Sequence, residues 1–174
     1  MRRHLLLVGL ALITAGFGWA VMQKEHVLSE GTVVFLELAP RDPRSLMQGD
    51  YMVLAYRLVR DVNEAMAVQE KSGEEKSKMT GRMVLELDER QIATFARIDD
   101  GVAALAPGQV RMRFKSRTSD IQIGAESFFF QEGTAETFNA AKYGELRVDP
   151  DGVSVLVGLR DESLRVLGGE QRLH

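Results

Sequence analysis

Hydrophobic and polar positions divide the chain sharply near residue 22. From Leu5 to Met22 the sequence LLLVGLALITAGFGWAVM carries no charge, and roughly 18 such residues are near the shortest helix that crosses a bilayer. Thr14 is its one clearly polar member, and a threonine hydroxyl can bond back to a helix carbonyl. Gly9, Gly16 and Gly18 are tolerated in membrane spans, and Trp19 stands where an indole suits the headgroup layer. The exit, WAVMQKEH, lacks the small-x-small pair of a signal-peptide cleavage site. An uncleaved N-terminal transmembrane helix is expected over 1–27. Arg2 and Arg3 then place the N-terminus in the cytoplasm and the remainder, 28–174, in the periplasm or outside the cell.

Beyond residue 30 the period shortens from that of a helix to that of a strand. TVVFLEL (Thr32–Leu38) is a nearly continuous apolar strand. The loop APRDPRSLMQ has two prolines, which a paired strand excludes. In YMVLAYRLV (Tyr51–Val59), alternation puts Met52, Leu54, Tyr56 and Leu58 on one face, the better core candidate. Residues 61–79 open with a short helical pattern and pass into Lys, Glu, Ser and Gly, the composition of a solvated loop. Met83–Leu87 and Gln91–Ile98 form a hairpin across Asp88-Glu89-Arg90. Val110–Lys115, Ile121–Ile123 and Ser127–Phe130 follow as strands. A helix capped by Thr134 is expected in EGTAETFNAAKYG. Glu145–Val148 and Val153–Leu159 are strands around the turn Asp149-Pro150-Asp151-Gly152, and the polar tail after Arg160 is expected to fray. The pattern predicts a mainly β fold with a minor α component. One antiparallel, β-rich barrel or sandwich domain follows the anchor, with one or two short helices and an exposed loop at about 61–79.

Composition removes several functions. The 22 Lys and Arg against 25 Asp and Glu give a net charge of −3, with no basic excess for nucleic acid. Without cysteine there is no disulfide, thiolate metal site or Cys nucleophile. The three histidines, His4, His26 and His174, lie outside the body of the domain, which removes a Ser-His-Asp triad and His-based metal ligation there. No phosphate-binding glycine motif is present, and no cofactor is implied. Asp99-Asp100 and Asp149/Asp151 read as turn formers.

One loop stands apart. Arg41, Asp42, Arg44, Asp50 and Tyr51 combine two carboxylates, two guanidiniums and a phenol within eleven positions. Two readings stay open for them: an ion-paired lock that fixes the loop to the strand after it, or a binding site for a ligand or partner. LMQGDYMVL also resembles the start of the β-strand in membrane-anchored signal peptidases. The residues ahead of it, Leu38-Ala39-Pro40, hold no serine nucleophile, and Lys115 alternates with Arg111 and Arg113 on a polar face, so that reading is disfavoured.

Gly49-Asp50-Tyr51, then Leu54 and Tyr56, match the pattern G-D-Y-x-x-L-x-Y at every fixed position. With the preceding LAPRDPRSLMQ and the C-terminal FFFQEGTAETFNAAKYGELRVDPDGVSVLVGL, this resembles the GDYXXLXY family of membrane-anchored bacterial proteins. The resemblance implies no catalytic residue. It implies an accessory or binding subunit of a multi-spanning membrane protein, of the DUF2157 or DUF4401 type. An extracytoplasmic enzyme or small-ligand binder that uses the Asp42/Arg44/Asp50/Tyr51 loop is the alternative.

Overall fold

The computed structural model describes residues 2–39, 47–48, 51–71, 80–117 and 120–169. Those residues are mainly β, with ten strands, two α-helices and one 3-10 turn among them. Helix α1 (Arg2–Glu30) is one continuous helix. Leu10, Leu12, Ile13, Phe17, Trp19 and Met22 on it are 62–74% exposed. At about 100° per residue these six fall on every side, with no single stripe to face a core. Among the described residues no helix is long and apolar enough to cross a membrane. The side chains of residues 2–8, which include Leu5, Leu6, Leu7 and Val8 of the apolar run, lie outside the described set. Among the described residues the last turns of α1 meet the domain, where Val27 is buried.

The strands form three antiparallel sheets. β1 (Thr32–Glu37), β9 (Tyr143–Val148) and β10 (Ser154–Arg160) make one, with β9 central and Thr32 opposite Val148. β4 (Thr80–Leu87), β5 (Ala93–Ile98), β6 (Gln109–Arg117) and β7 (Asp120–Ile123) make the second, in the order β5-β4-β6-β7. The third is small: β2 (Met47–Gln48), β3 (Tyr51–Val53) and β8 (Ser127–Phe129). A bridge between Phe35 and Ile92 ties β1 to the beginning of β5, and the whole curls into a half-barrel. Its inner face holds Val34 and Leu36 of β1, Met83 and Leu85 of β4, Met112 and Phe114 of β6, and Leu146 and Val148 of β9. Alternation along each strand supplies this face, as period-two patterning requires. Phe128, Phe130 and Phe138 close one end, with ring centroids 5.1 and 5.3 Å from Phe138.

Four expectations are corrected. The strand expected over Tyr51–Val59 ends at Val53, and helix α2 (Leu58–Lys71) occupies much of the stretch read as a loop. Leu58, Val62 and Met66 recur at helical spacing and pack into the core, so burial of that stripe, not the polarity of the other positions, decides the local structure. The helix expected after Thr134 is only a 3-10 turn, Ala135–Phe138. Thr134 makes no cap there; its hydroxyl donates to the Gln131 carbonyl at 2.6 Å. The chain must anchor Phe138 and then turn at once into β9, which leaves no length for further turns. Among the described residues that follow Arg160 the tail is folded back. Asp161 accepts the backbone N–H groups of Ser163 and Arg165, and Leu167 folds back onto the core with its N–H on the Leu159 carbonyl.

Candidate functional site

The second half of the signature is built into the core by its neighbours on both sides. Leu54 donates its N–H to the Glu126 carbonyl at 2.8 Å. On the other side Leu38 and Tyr56 form an antiparallel bridge, Ala39 N–H reaches the Ala55 carbonyl at 2.8 Å, and Arg57 N–H reaches the Glu37 carbonyl at 2.9 Å. The segment is therefore clamped between the end of β1 and the turn before β8, although it is not itself a regular strand.

Tyr56 is 4% exposed and sits in a slot lined by glycine. A Cβ on Gly144 of β9 would stand 3.2 Å from the Tyr56 ring, and one on Gly124, at φ +59°, would stand 2.7 Å from Leu146. Gly124 holds a left-handed φ that L side chains adopt only rarely. The Tyr56 hydroxyl donates to the Ala125 carbonyl at 2.9 Å. Burial raises its pKa far above the ordinary phenol value, with the nearby Glu126 charge adding to it. This tyrosine is a buried donor, unsuited to acid–base work near neutral pH.

Its chain neighbour, Arg57, is exposed and lines a groove of about 1110 Å³ that Tyr56 borders as well. The groove runs between α2, the residues Val53–Arg57 and β7, and is lined by both apolar and charged side chains. At its mouth the Glu37 carboxylate, at the end of β1, accepts Arg57 Nη1 on both oxygens at 3.2 Å. Lys142 Nζ lies 3.0 Å from the same carboxylate. The Lys142 hydrogen bond, helped by Arg57, outweighs desolvation and holds the Glu37 carboxyl below its ordinary range. Reciprocally, Glu37 raises the Lys142 ammonium. Two cations on one carboxylate leave hydrogen-bonding capacity to spare on exposed groups, since Arg57 is 60% exposed. Gln122, also on the groove lining, donates to Glu126 at 2.9 Å.

Of the residues expected to form a site, Arg41, Asp42, Arg44, Gly49 and Asp50 lie outside the described residues. Tyr51 is placed. It stands opposite Phe129 across β3 and β8, on the face away from the core, with ring centroids 5.7 Å apart. Leu54 and Tyr56 are buried, as alternation predicted. Glu37, Arg57 and Lys142 were not foreseen. They are widely separated in sequence, and no local pattern marks a lone glutamate at a strand end as the partner of two distant cations. Among the described residues no group of three acidic or histidine side chains could hold a metal ion.

A β-rich half-barrel that seats a buried tyrosine beside an ion-paired groove is the setting in which the signature works. The family whose description is GDYXXLXY protein matches residues 13–159, and the chain belongs to that family. The match begins within α1, so part of the helix is shared along with the domain. No curated protein and no solved structure matches this chain.

Proposed function

We propose that this protein is an accessory subunit, tethered to the cytoplasmic membrane by α1, whose β-domain docks onto a multi-spanning membrane protein on the outer side. The observation that supports this is the apolar surface on every side of α1, exposed to 62–74% at six positions and covered by nothing else among the described residues. A surface helix of a water-soluble domain carries one apolar stripe, and a helix apolar all round needs lipid or protein around it. Arg2 and Arg3 orient the helix with its N-terminus inside. A tether also confines the domain to the layer beside the bilayer, which raises its effective concentration for a membrane-bound partner.

In this reading the groove beside the signature receives an extracytoplasmic segment of the partner. At about 1110 Å³ and open to solvent it exceeds the usual small-molecule cavity of about 300–1,000 Å³. Its mixed charged and apolar lining suits a peptide segment, whose own charges would exchange with the Glu37–Arg57–Lys142 cluster. Purification of the chain in mild detergent tests the proposal. An integral membrane protein is expected at comparable stoichiometry, and Arg57→Glu is expected to lose it while leaving the circular dichroism unchanged. A chain that elutes alone rejects the reading.

A further inference from the structure

β5 and β6 both run antiparallel to β4 and flank it. They are therefore parallel to each other, and residues 99–108 must cross β4 to join them. The crossing lies on the outer face. Val84, between the core residues Met83 and Leu85, points outward, yet it is fully buried between Arg97 and Arg111 in register. Asp99 begins the crossing, and its fully buried carboxylate is gripped by Arg111 of β6. Burial alone would raise the Asp99 pKa, but the Arg111 hydrogen bond, with the Gly101 N–H, holds it below the ordinary value.

On that fixed base stands an apolar tip. Val102, Ala103, Ala104, Leu105, Ala106 and Pro107 are all exposed, and Val102, at 88%, is the most exposed large apolar side chain among the described residues. Six consecutive exposed apolar residues are unusual on a surface that faces only water. The loop also pairs several of its own backbone donors. Gly101 N–H bonds Asp99, the N–H groups of Val102 and Ala103 bond the Asp100 carboxylate at 3.0 and 3.2 Å, and Ala106 N–H bonds the Gln109 side chain at 3.1 Å. Pro107 has no N–H to satisfy. Only Ala104 and Leu105 of the tip keep an unpaired backbone N–H among the described residues. Each donor paired internally lowers the cost of leaving water.

The base of the tip is linked to the end of α1 through the sheet. Gly31, which ends the helix, accepts Arg147 Nη1 at 3.2 Å and leads to Thr32 opposite Val148. The turn after Val148 meets β6, where Arg113 N–H donates to the Gly152 carbonyl at 2.8 Å and Arg113 Nε to Asp151 at 2.9 Å. Two residues earlier on β6 is Arg111, which holds the loop. A continuous line of bonded residues thus joins the helix end to the base of the apolar tip.

We propose that the 99–108 crossover is a second membrane contact: its tip enters the headgroup layer of the bilayer that holds α1. Val102 and Leu105 enter, while Arg82 and Arg113, exposed on the same sheet face, lie where they meet headgroup phosphates. The contact fixes the tilt of the domain over the membrane and thereby the direction in which its groove opens. This rests on the anchor reading, and the test separates the two.

The chain has no cysteine, so a single introduced thiol carries a unique label. Full-length Val102→Cys, Leu12→Cys and Glu89→Cys are labelled with the environment-sensitive fluorophore NBD and reconstituted into phosphatidylethanolamine–phosphatidylglycerol vesicles. The label at 102 is expected to shift to the blue relative to that at 89, to lose quenching by aqueous iodide and to gain quenching by lipid-borne nitroxide. A lipid signal at 12 with a solvent-like signal at 102 overturns the proposal and leaves the anchor standing. A blue shift at 102 without nitroxide quenching means that protein covers the tip, and it also overturns the proposal. A solvent-like signal at both 12 and 102 overturns the anchor and the loop contact together.

Discussion

Tyr56 and Arg57 are adjacent in the chain and border the same groove, yet one is buried and the other exposed. The tyrosine ring is enclosed between Gly144 and the Gly124–Ala125 turn, with its one polar atom satisfied. The guanidinium stands in a solvent-open groove, sharing a carboxylate with Lys142. Their energetics differ accordingly. Tyr56 draws on apolar burial and close packing, which are felt at the scale of kilocalories when disturbed. Exposed ion pairs such as Arg57–Glu37 contribute little to stability, about 0–1 kcal/mol. Half of this boundary serves the fold, and the other half is free to serve a partner.

The comparison breaks most visibly at the ring. Tyr56→Ala is expected to lower stability by about 3–5 kcal/mol through the cavity it leaves, read as a fall in the denaturation midpoint by circular dichroism. An unchanged midpoint would mean that the slot collapses without cost. Gly144→Ala adds a methyl 3.2 Å from the same ring and is expected to cost about 1–3 kcal/mol by overpacking. Combined with Tyr56→Ala, the penalty of Gly144→Ala should shrink, because the clash is gone; strictly additive effects would show that Gly144 acts elsewhere. Tyr56→Phe keeps the ring and orphans the Ala125 carbonyl, at about 1 kcal/mol.

On the groove side Arg57→Glu should change stability by less than about 1 kcal/mol while abolishing partner co-purification, the reverse of the Tyr56 series. The smallest effect is that of pH. Glu37 titrates below its ordinary value in the folded protein, so its contribution is complete above the ordinary carboxylate range and is lost as pH falls through the lowered value. Lys142 is raised, so its contribution is present below the ordinary lysine value and fades only as pH rises past the raised one. Partner capture is expected to be flat across neutral pH and to weaken first in acid. A loss centred near pH 7 would show that this cluster is not the group that titrates.

Alternation was a sound guide wherever burial on one face was the only demand. Met52, Leu54 and Tyr56 are buried as their spacing required, and the β4–β5 hairpin and the Asp149–Gly152 turn stand where their residues placed them. Leu58 shows the limit. It is buried, as alternation from Met52 predicted, but it reaches the core from the first turn of α2, because period two and period 3.6 agree over so short a stretch. Thr134 shows the opposite error, a cap-like residue with no helix long enough to cap.

By itself the sequence determined the uncharged N-terminal segment, the β-rich class, the family signature and the inward faces of its strands. Each of these rests on near neighbours or on a short period, and is complete within a few residues. Tertiary structure alone decided which distant groups meet. Glu37 finds Arg57 and Lys142, Gly144 and Gly124 shape the Tyr56 slot, and Asp99 reaches Arg111 across β4. These contacts follow from sheet order and curl, which arise from packing the whole set of apolar faces at once and leave no periodic trace along the chain.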